Sequence, residues 1–350
     1  MGSVSPLLAI KEELGQEPQI DFLWVGTARG PERLLVEKYN IKFKSIPCGK
    51  WRRYFDWRNF FDPLLIVLGF LKALWIIGRF RPDIILTAGS FVSVPLVWAG
   101  AVWRRRILVH QQDSRIGLAN RLMIPFALKV TVAYEELRGK FPSGKAYVTG
   151  NPARRALVEV SRETALQHFG FDPAVPTLLV MGGGLGAEVI NEAFIRISSE
   201  LTKFCQVIHL LGKGAQSKWL YSSFIANNKR YRAFEFLDEA MALAYAATDV
   251  VFSRAGFSSL TELAALGKPA IIMPIPNNQQ EENADYFRRQ EAIVLVRQED
   301  FDGDYILNLV RDLLSRSDRL RELSFNIRNS LPRDAAREYA HLVLELIKKD

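Results

Sequence analysis

Short apolar runs that alternate with helix-type patterns constrain the fold of this chain more than any other feature. Strands that alternate with helices build parallel sheets through right-handed crossovers. The predicted strands are Asp21–Val25, Ile84–Thr87, Ile107–His110, Val130–Ala133, Ala146–Val148, Thr177–Met181, Gln206–Leu211, Ala233–Phe236, Val250–Ser253, Ala270–Pro274 and Ala292–Val296. Helical stretches fall between most of them, for example Ala187–Thr202, Glu239–Ala247 and Ser258–Leu266. The sequence therefore predicts an α/β protein.

The length of 350 residues predicts two domains. The segment Gly150–Pro152 marks the boundary, so we expect domains at 1–154 and 155–332. The last helical segment, 333–350, follows a proline and is expected to pack back on the first domain. Two doubly wound domains predict an interdomain cleft, where a ligand meets the carboxyl ends of the strands.

Basic residues surround the most apolar part of the chain, Pro63–Phe80. The net charge of +8 favours anionic partners. The basic residues are Lys42, Lys44, Lys50, Arg52, Arg53, Arg58, Arg79, Arg81 and Arg104 to Arg106. Because they alternate with aliphatic surface, the pattern favours an anionic membrane surface over nucleic acid. The alternative is a solvated basic face beside an ordinary buried helix.

A glycine-rich segment, Gly182–Ala187, follows the predicted strand Thr177–Met181 and opens a helix. Glycines let backbone N–H groups approach a phosphate, and the start of a helix favours its negative charge. A tight turn without a ligand is the alternative, but four glycines are more than a turn needs. The segment is neither a Walker A loop nor a complete dinucleotide-binding fingerprint.

Two more polar segments follow strands in the second half. In Phe252–Glu262, we expect Ser258 and Ser259 to cap a helix and Glu262 to accept hydrogen bonds from sugar hydroxyls. A carboxylate that only stabilises the helix start is the alternative for Glu262. In Pro274–Ala284, clustered amides suit a sugar, and an ordinary polar loop is the alternative.

Two segments of the first half, Leu86–Pro95 and Val109–Asn120, also follow apolar strands. His110 and Asp113 are the candidate catalytic bases. A purely structural role is the alternative for His110. There is no Asp-x-Asp pair placed for magnesium, so we expect no metal and no cofactor.

Taken together, these segments resemble the MurG family of bacterial UDP-N-acetylglucosamine transferases. The matching segments are Thr87 to Ser93, His110 to Asp113 with Gly117 and Asn120, Gly150 to Arg154, Gly182 to Ala187, Ser253 to Glu262, and Gln279 to Ala284. Each motif alone is moderately specific, but six in order along nearly the whole chain are highly specific. The resemblance implies the GT-B fold, two Rossmann-like domains around a cleft.

The resemblance also implies roles for individual residues. The donor-binding residues would be Arg154, Gly183, Gly184, Leu185, Gly186, Leu237, Arg254, Gly256, Phe257, Ser258, Ser259, Leu260, Thr261, Glu262, Gln279, Gln280 and Asn283. Acceptor-side residues would be Gly2, Ser3, Thr87, Gly89, Ser90 and Asn120. Within the donor set, Leu237 would lie at the uracil and Glu262 at the ribose.

The implied reaction moves GlcNAc from UDP-GlcNAc, with inversion, to the C4 hydroxyl of undecaprenyl-pyrophosphoryl-MurNAc-pentapeptide, called lipid I. The implied location is the cytoplasmic face of the bacterial plasma membrane, with proteins of cell-wall synthesis and division as candidate partners. Two alternatives stay open. One is another GT-B transferase with a different lipid acceptor, and the other is a catalytically impaired nucleotide-sugar-binding membrane protein.

The sequence departs from the family pattern at several positions. Ser3 stands where the family has His, Gln111 where it has Glu, and Asp113 where it has Asn. Gly184 and Leu185 replace Ser and Gln. The family's first strand and glycine-rich loop have no counterpart ahead of the first helix, and a wrongly assigned start is the preferred explanation. Only a chain that truly begins at Met1 is expected to lack a central strand in its first sheet.

Overall fold

The computed structural model describes residues 2–17, 19–28, 30, 32–49, 62–154, 160–184, 186–212, 214, 228–238 and 240–348. The chain divides into two compact units. Unit 1 comprises Met1–Arg154 and Asp334–Asp350, and unit 2 comprises Arg155–Arg333. The predicted α/β fold with two domains and parallel sheets is confirmed.

Unit 1 contains the first six described strands and seven described helices. The strands are β1 (Leu23–Gly26), β2 (Lys42–Ser45), β3 (Ile84–Thr87), β4 (Arg106–Gln111), β5 (Lys129–Val132) and β6 (Ala146–Val148). The helices are α1 (Ser5–Leu14), α2 (Glu32–Lys38), α3 (Asp62–Phe80), α4 (Ser93–Val102), α5 (Leu118–Met123), α6 (Glu135–Arg138) and α15 (Ala335–Lys348). A short 3-10 helix, Ile124–Phe126, follows α5.

The strands of unit 1 form two separate parallel sheets. β1 pairs with β2, whereas β3, β4, β5 and β6 pair in chain order. Within the described residues no strand precedes α1. β2 was not predicted. Its sequence, Lys-Phe-Lys-Ser, alternates exposed and half-buried residues as an edge strand does, but its two lysines were interpreted only as part of a basic cluster.

Helices cover both faces of the sheets in unit 1. The first helix, α1, packs on α15 through Ile10, Leu14 and Tyr339, all buried. Helix α3 is continuous through Gly69 and Gly78. A Cβ on Gly69 would come within 2.3 Å of the Pro47 carbonyl oxygen, so this glycine permits close packing.

Unit 2 contains the other six strands and eight helices among its described residues. The strands are β7 (Thr177–Met181), β8 (Gln206–Leu210), β9 (Tyr231–Phe234), β10 (Val250–Ser253), β11 (Ala270–Ile272) and β12 (Val294–Leu295). The helices are α7 (Arg162–Phe169), α8 (Glu188–Arg196), α9 (Ser198–Leu201), α10 (Met241–Ala247), α11 (Phe257–Leu266), α12 (Gln279–Arg289), α13 (Gly303–Ser315) and α14 (Ser317–Asn329). A 3-10 helix spans Gln298–Asp300.

All strands of unit 2 belong to one parallel sheet with the spatial order β12-β11-β10-β7-β8-β9. The central strands β7 and β10 are buried at every position, as expected for apolar strands covered on both faces. The predicted helical stretch Ala187–Thr202 is helical but is not one continuous helix. It is two helices, because the backbone departs from helical geometry at Ile197 (φ −93°, ψ 7°).

Candidate functional site

The sheet of unit 2 reverses its direction of winding between β7 and β10. From β7 the chain moves outward to β8 and β9, and it then returns to the other side of β7 with β10. At such a switch point the loops that follow the two strands diverge and leave a crevice at their carboxyl ends. The glycine-rich segment follows β7, and the start of α11 follows β10. The predicted phosphate-binding segment and the start of α11 therefore flank the switch point.

Two glycines of the segment are required by close packing. A Cβ on Gly182 would lie 2.4 Å from the backbone nitrogen of Ala187. A Cβ on Gly186 would lie 2.1 Å from the carbonyl oxygen of Leu211, and Gly186 also has a φ of 77°. These two positions explain part of the glycine content without any ligand.

The other two glycines have a different character. Gly183 adopts a φ of 95°, which favours glycine, but a Cβ there would contact nothing within 4 Å. Gly184 has no positive φ, and a Cβ added to it would also meet no atom within 4 Å, so the packing of the described residues does not require a glycine there. Open space at this position is what a bound phosphate needs.

Two helices begin after the two strands of the switch point. The nine-residue α8 starts at Glu188, and the ten-residue α11 starts at Phe257. The N-cap residues of the two helices, Ala187 and Gly256, make no side-chain hydrogen bond to the first turn. The prediction that Ser258 and Ser259 cap the second helix is wrong, because its N-cap is Gly256 and both serines lie in the first turn. First-turn N–H groups carry partial positive charge and bind anions.

Glu262 lies one turn into α11 and is half-buried. Its Oε2 atom accepts a hydrogen bond of 2.8 Å from the hydroxyl of Tyr245, a fully buried residue of α10. This bond fixes the direction of the carboxylate. Sequence reasoning did not find Tyr245, because a single tyrosine in an apolar helix is typical of a core residue.

Arg254 is 8% exposed and forms hydrogen bonds with the segments that follow neighbouring strands of the sheet. Its Nη1 donates to the carbonyl oxygens of Met273 and Pro274, and its Nη2 donates to Gln298 at 2.8 Å. Burial lowers the pKa of the guanidinium from its ordinary value. These hydrogen bonds hold the loops that follow β10 and β11.

The predicted sugar-binding residues lie at the start of α12, which follows β11. Gln279 is exposed, and the Oε1 atom of Gln280 accepts from the backbone nitrogen of Ile275 at 3.2 Å. Asn283 is fully buried and donates to the carbonyl oxygen of Ala255 at 3.2 Å. Leu237, half-buried, follows β9. Unit 2 thus places its predicted residues after four strands of one sheet.

A buried network that was not predicted supports the glycine-rich segment. His209 on β8 bonds Tyr231 through Nδ1 at 2.7 Å and Asn191 through Nε2 at 3.1 Å. Asn191 in turn donates to the carbonyl of Leu211, the group that Gly186 approaches. Burial lowers the pKa of His209 to about 3, so the ring is neutral at pH 7.

The acceptor-side candidates of unit 1 cluster where β3 and β4 end. Gln111 donates to the carbonyl oxygen of Asp113 at 2.6 Å and accepts from Asn120 Nδ2 at 2.6 Å. Gly89, with a φ of 84°, lies against Asn120, whose Oδ1 atom would be 3.0 Å from a Cβ at position 89. Asn120 is buried, and this Oδ1 atom has no hydrogen-bond partner among the described residues.

His110 is fully buried, and both of its ring nitrogens are hydrogen-bonded. Nδ1 lies 2.9 Å from Thr131 Oγ1, and Nε2 lies 2.7 Å from Asn151 Oδ1. Burial lowers the pKa of His110 to about 4, against the opposing effect of hydrogen bonds to these two residues. This environment favours the structural alternative, because a base needs an open nitrogen that can take a proton from the substrate.

The remaining candidates are less enclosed. Asp113 is half-buried beyond the end of β4, and Ser90 is half-buried beyond β3. The hydroxyl of Thr87, a buried residue, accepts from the backbone nitrogen of Gly89 at 3.4 Å.

Gly2 and Ser3 precede α1, and Arg154 closes the continuous part of unit 1. Leu185 lies outside the described residues, as do the basic residues of segment 50–61. Across the described part of the chain, no three His, Cys, Asp or Glu side chains are grouped to hold a metal.

Unit 1 also carries an apolar surface on α3. This helix is the single one among the described residues that is long and apolar enough to span a membrane, by length and composition alone. Leu64, Leu68, Leu71 and Trp75 follow one another at helical spacing, and each is between 45% and 62% exposed. We call these four residues the α3 stripe.

A groove of about 570 Å³ extends the apolar surface beyond the α3 stripe. Val67 of α3, Trp98 and Val102 of α4, and Phe126 are among the residues that line it. The Trp98 indole nitrogen donates to the carbonyl oxygen of Leu122, which joins α4 to α5. Contiguous apolar surface of this kind marks a site of interaction with a protein or a membrane.

Known proteins resemble this chain along most of its length. Models of the N-terminal and C-terminal domains of glycosyltransferase family 28 match residues 1–132 and 177–338. A Bacillus cereus protein named UDP-N-acetylglucosamine–N-acetylmuramyl-(pentapeptide) pyrophosphoryl-undecaprenol N-acetylglucosamine transferase 2 is 36% identical over 324 residues, which are 91% of this chain and 90% of the relative. The Legionella pneumophila transferase is 35% identical over 324 residues, which are 91% of this chain and 88% of the relative.

Solved structures share the fold. Acinetobacter baumannii MurG superimposes with a TM-score of 0.74 at 23% identity and covers 98% of this chain and 96% of its own. UDP-GlcNAc 2-epimerase from Neisseria meningitidis, bound to UDP-GlcNAc, superimposes with a TM-score of 0.72 at 14% identity, over 99% of this chain and 96% of its own. Because both domain models match and the transferases exceed 30% identity over nine-tenths of the chain, this protein belongs to the MurG family within glycosyltransferase family 28.

Proposed function

We propose that this protein transfers N-acetylglucosamine from UDP-GlcNAc to the C4 hydroxyl of lipid I. The relatives at 35–37% identity are named for this transfer. The observation in the structure that carries the proposal is the pair of helix starts, α8 and α11, on either side of the switch point. The reaction releases a diphosphate, and this is the part of the fold suited to hold one.

The chemistry is a single displacement. The acceptor oxygen attacks the anomeric carbon, the bond from that carbon to the UDP oxygen breaks, and UDP leaves with the bonding electrons. The configuration at the anomeric carbon is inverted, and the acceptor hydroxyl gives its proton to a base. Negative charge grows on the diphosphate as the bond breaks, so first-turn N–H groups of α8 and α11 stabilise the transition state.

The two helix starts differ in charge. In α8 the first turn contains Glu188, which opposes an anion, whereas the first turn of α11 contains no acidic residue. We therefore assign the larger stabilisation of the diphosphate to Phe257–Leu260. Glu262 lies one turn further along, and its carboxylate accepts a hydrogen bond from Tyr245. We assign this carboxylate to the ribose hydroxyls. We assign the binding of the GlcNAc group to Gln279, Gln280 and Asn283.

For the base we favour Asp113 over His110. Both nitrogens of His110 are bonded inside the core, and its lowered pKa disfavours the protonated form. Asp113 is half-buried at the end of β4, next to Gln111 and Asn120. Replacement of Asp113 by Asn is expected to lower the rate of transfer far more than the affinity for UDP.

Membrane association is the second part of the proposal. The α3 stripe presents leucines and a tryptophan, and Lys72, Arg79 and Arg121 are exposed on the same helix and on α5. Apolar side chains that enter the lipid interface, with cations nearby for anionic headgroups, are typical of peripheral attachment. We place the protein at the cytoplasmic face of the plasma membrane, where the proteins of cell-wall synthesis and division are its candidate partners.

The transfer assay uses radiolabelled UDP-GlcNAc with lipid I, and diacylglycerol as the competing acceptor. We expect label in the lipid I product only. Label in diacylglycerol would show a different transferase. Affinity for UDP without transfer to either lipid would show a nucleotide-sugar-binding protein that lacks activity.

A matched pair of glycine substitutions tests the phosphate site. Gly184→Val introduces a side chain into open space, so we expect unchanged thermal stability but a loss of UDP affinity of tenfold or more in calorimetry. Gly117→Val is the control, because a Cβ at Gly117 also meets nothing within 4 Å and this residue lies in unit 1. Equal UDP affinity in both variants would mean that this segment does not bind the phosphate.

A further inference from the structure

Residues 113–115, which we call the β4 loop, follow β4 and include Asp113, the residue that we favour as the base. Gln111 is the last residue of β4. Its Nε2 atom donates to the carbonyl oxygen of Asp113 at 2.6 Å and to the carbonyl oxygen of Arg115 at 3.1 Å. A single side chain therefore holds both ends of the β4 loop.

The middle of the β4 loop is held as well. The carbonyl oxygen of Ser114 accepts from Lys140 Nζ at 2.7 Å, and the Ser114 hydroxyl accepts from the Tyr134 hydroxyl at 2.7 Å. Ser114 and Tyr134 are both buried. Each of the three successive carbonyl groups of the loop thus accepts a hydrogen bond from a side chain. The backbone that carries Asp113 is fixed before any substrate binds.

The carboxamide of Gln111 directs its hydrogen bonds into the protein. A carboxamide has two N–H donors, and both serve the β4 loop. Its Oε1 atom accepts from Asn120 Nδ2 at 2.6 Å. The residue is 2% exposed, so it is enclosed, whereas Asp113 is half-buried. Gln111 therefore acts on the loop, and Asp113 is the residue of this pair that a substrate can reach.

We propose that Gln111 is a positioning residue for the transfer reaction, because it holds Asp113 where this carboxylate takes the proton of the acceptor hydroxyl. In that step the acceptor oxygen bonds to the anomeric carbon, and UDP leaves with the bonding electrons. The inference rests on the proposed function, since it concerns the base of that reaction.

The position requires an amide and excludes a carboxylate. An ionised Glu at 111 has no proton to donate, and its negative charge would face the carbonyl oxygens of Asp113 and Arg115. The family pattern has Glu at 111 and Asn at 113, so the amide and the carboxylate stand in the opposite order in this chain. A return to Glu at 111 alone is therefore expected to lower the activity.

Unit 2 contains an equivalent glutamine that serves as a matched control. Gln206 is the first residue of β8 and is also 2% exposed. Its Nε2 atom donates to the carbonyl oxygens of Asp172 and Val175, both at 3.0 Å, and its Oε1 atom accepts from the backbone nitrogen of Asp172 at 2.7 Å. Because Gln206 precedes β8, it lies at the amino ends of the strands, whereas the proposed donor site lies at their carboxyl ends.

Steady-state kinetics of Gln111→Glu and Gln206→Glu separate positioning from stability. We expect Gln111→Glu to lower kcat about tenfold or more and to leave the KM for UDP-GlcNAc within about twofold, because a misplacement of about 1 Å costs rate. Gln206→Glu loses the same kinds of hydrogen bond, but its kcat is expected to stay within about twofold. Unchanged kcat in Gln111→Glu, or an equal loss in both variants, would overturn the proposal.

A double-mutant cycle shows whether Gln111 acts through Asp113. Once Asp113→Asn has removed the base, Gln111→Glu has no base left to misplace, so the two losses in kcat do not multiply. We expect the double variant to keep at least about a third of the kcat of Asp113→Asn. Losses that multiply would mean that Gln111 acts independently of Asp113, and they would contradict the positioning role.

Thermal unfolding and hydrogen exchange check that the variants fold. We expect the amides of the β4 loop to exchange faster in Gln111→Glu, and those of residues 172–175 to exchange faster in Gln206→Glu. Should Gln111→Glu not fold, Tyr134→Phe is the second variant, because it removes the hydrogen bond to the Ser114 hydroxyl without a change of charge. It is expected to lower kcat about threefold at unchanged KM, and an unchanged kcat would count against the proposal.

The same assay distinguishes this inference from the proposed function. Absence of transfer by the unchanged protein would reject the proposed function, and any role of Gln111 in it. Transfer by the unchanged protein, together with full activity of Gln111→Glu, would reject the positioning role alone.

Discussion

Unit 1 and unit 2 are built from the same alternation of strands and helices, but they complete it differently. In unit 2 six parallel strands form one sheet, and β7 lies at its centre with neighbours on both sides. In unit 1 the strands are divided into sheets of two and four, with a cavity of about 1000 Å³ between β1 and β3. The two units therefore differ in how their sheets are interrupted.

In unit 2 the interruption lies in the order in which the chain connects the strands, and not in their pairing. The sheet is continuous, and only the direction of winding changes between β7 and β10, which opens a crevice for a ligand without loss of hydrogen bonds. In unit 1 the discontinuity is one of pairing, which leaves two strand edges without partners among the described strands. The comparison teaches that a parallel sheet can create a polar ligand site at no cost to its ladder, whereas a missing pairing leaves backbone groups of the edge strands outside the ladder.

Each unit also buries one histidine on an inner strand, and these two residues give the largest predicted effect. Burial lowers the pKa of His209 to about 3 and that of His110 to about 4, while the unfolded value is 6.5. Below pH 6.5 the unfolded chain binds a proton that the folded chain does not, so stability falls as the pH decreases to the folded pKa. We expect the free energy of unfolding to fall by about 4 kcal/mol for unit 2 by pH 3 and by about 3 kcal/mol for unit 1 by pH 4.

Urea unfolding at several pH values between 7 and 3, followed by hydrogen exchange in each unit, measures these losses. Variants His209→Gln and His110→Gln do not titrate in this range. Each is expected to remove the acid dependence of its own unit and to leave that of the other unit unchanged, whatever its stability at pH 7. An acid dependence that survives in the substituted unit would assign the effect to other groups.

The second prediction concerns the membrane surface, which we assign to unit 1 alone. The double variant Leu64→Ser, Leu68→Ser removes two exposed leucines of the α3 stripe. We expect it to weaken binding to phosphatidylglycerol-containing vesicles by about thirtyfold or more, with a stability change within about 0.5 kcal/mol. Vesicle co-sedimentation at fixed salt measures the binding.

Unit 2 offers a matched control for this test. Tyr305 and Phe325 are also exposed, at 45% and 69%, on α13 and α14. The double variant Tyr305→Ser, Phe325→Ser should bind vesicles like the unchanged protein. Equal weakening in both double variants would mean that general hydrophobicity, rather than the α3 stripe, drives attachment.

The third and smallest prediction concerns the donor site of unit 2. Glu262→Ala is expected to lower UDP affinity about tenfold, because a carboxylate that accepts ribose hydroxyls is lost. Tyr245→Phe removes the 2.8 Å hydrogen bond to this carboxylate, together with the 3.8 Å contact of the same hydroxyl with Met181 Sδ, and a loss of about threefold is expected. Isothermal titration with UDP measures both. Unchanged affinity in Glu262→Ala would leave the carboxylate with a role in the stability of α11 alone.

Much of the local structure could be predicted from the sequence. Apolar runs such as Thr177–Met181 and Val250–Ser253 appear as strands with the predicted bounds, because fully apolar runs between turn signals are typical of buried parallel strands. The strand Lys42–Ser45 was missed because an edge strand needs few apolar residues. The starts of α8 and α11 could be located to within a residue or two, but not the absence of a side-chain cap at Gly256.

The sequence by itself determined which segments become strands and helices, that the polypeptide forms an α/β protein with parallel sheets, and that it carries the motifs of its family. Those properties depend on local periodicity and on residue types at fixed spacing. Only the tertiary structure decided that β7 lies beside β10, that β1 and β3 do not pair, and that Tyr245 holds Glu262. It also decided that His110 is enclosed. These properties depend on contacts between segments far apart in the chain, and no local pattern of residues records which distant edges or side chains meet.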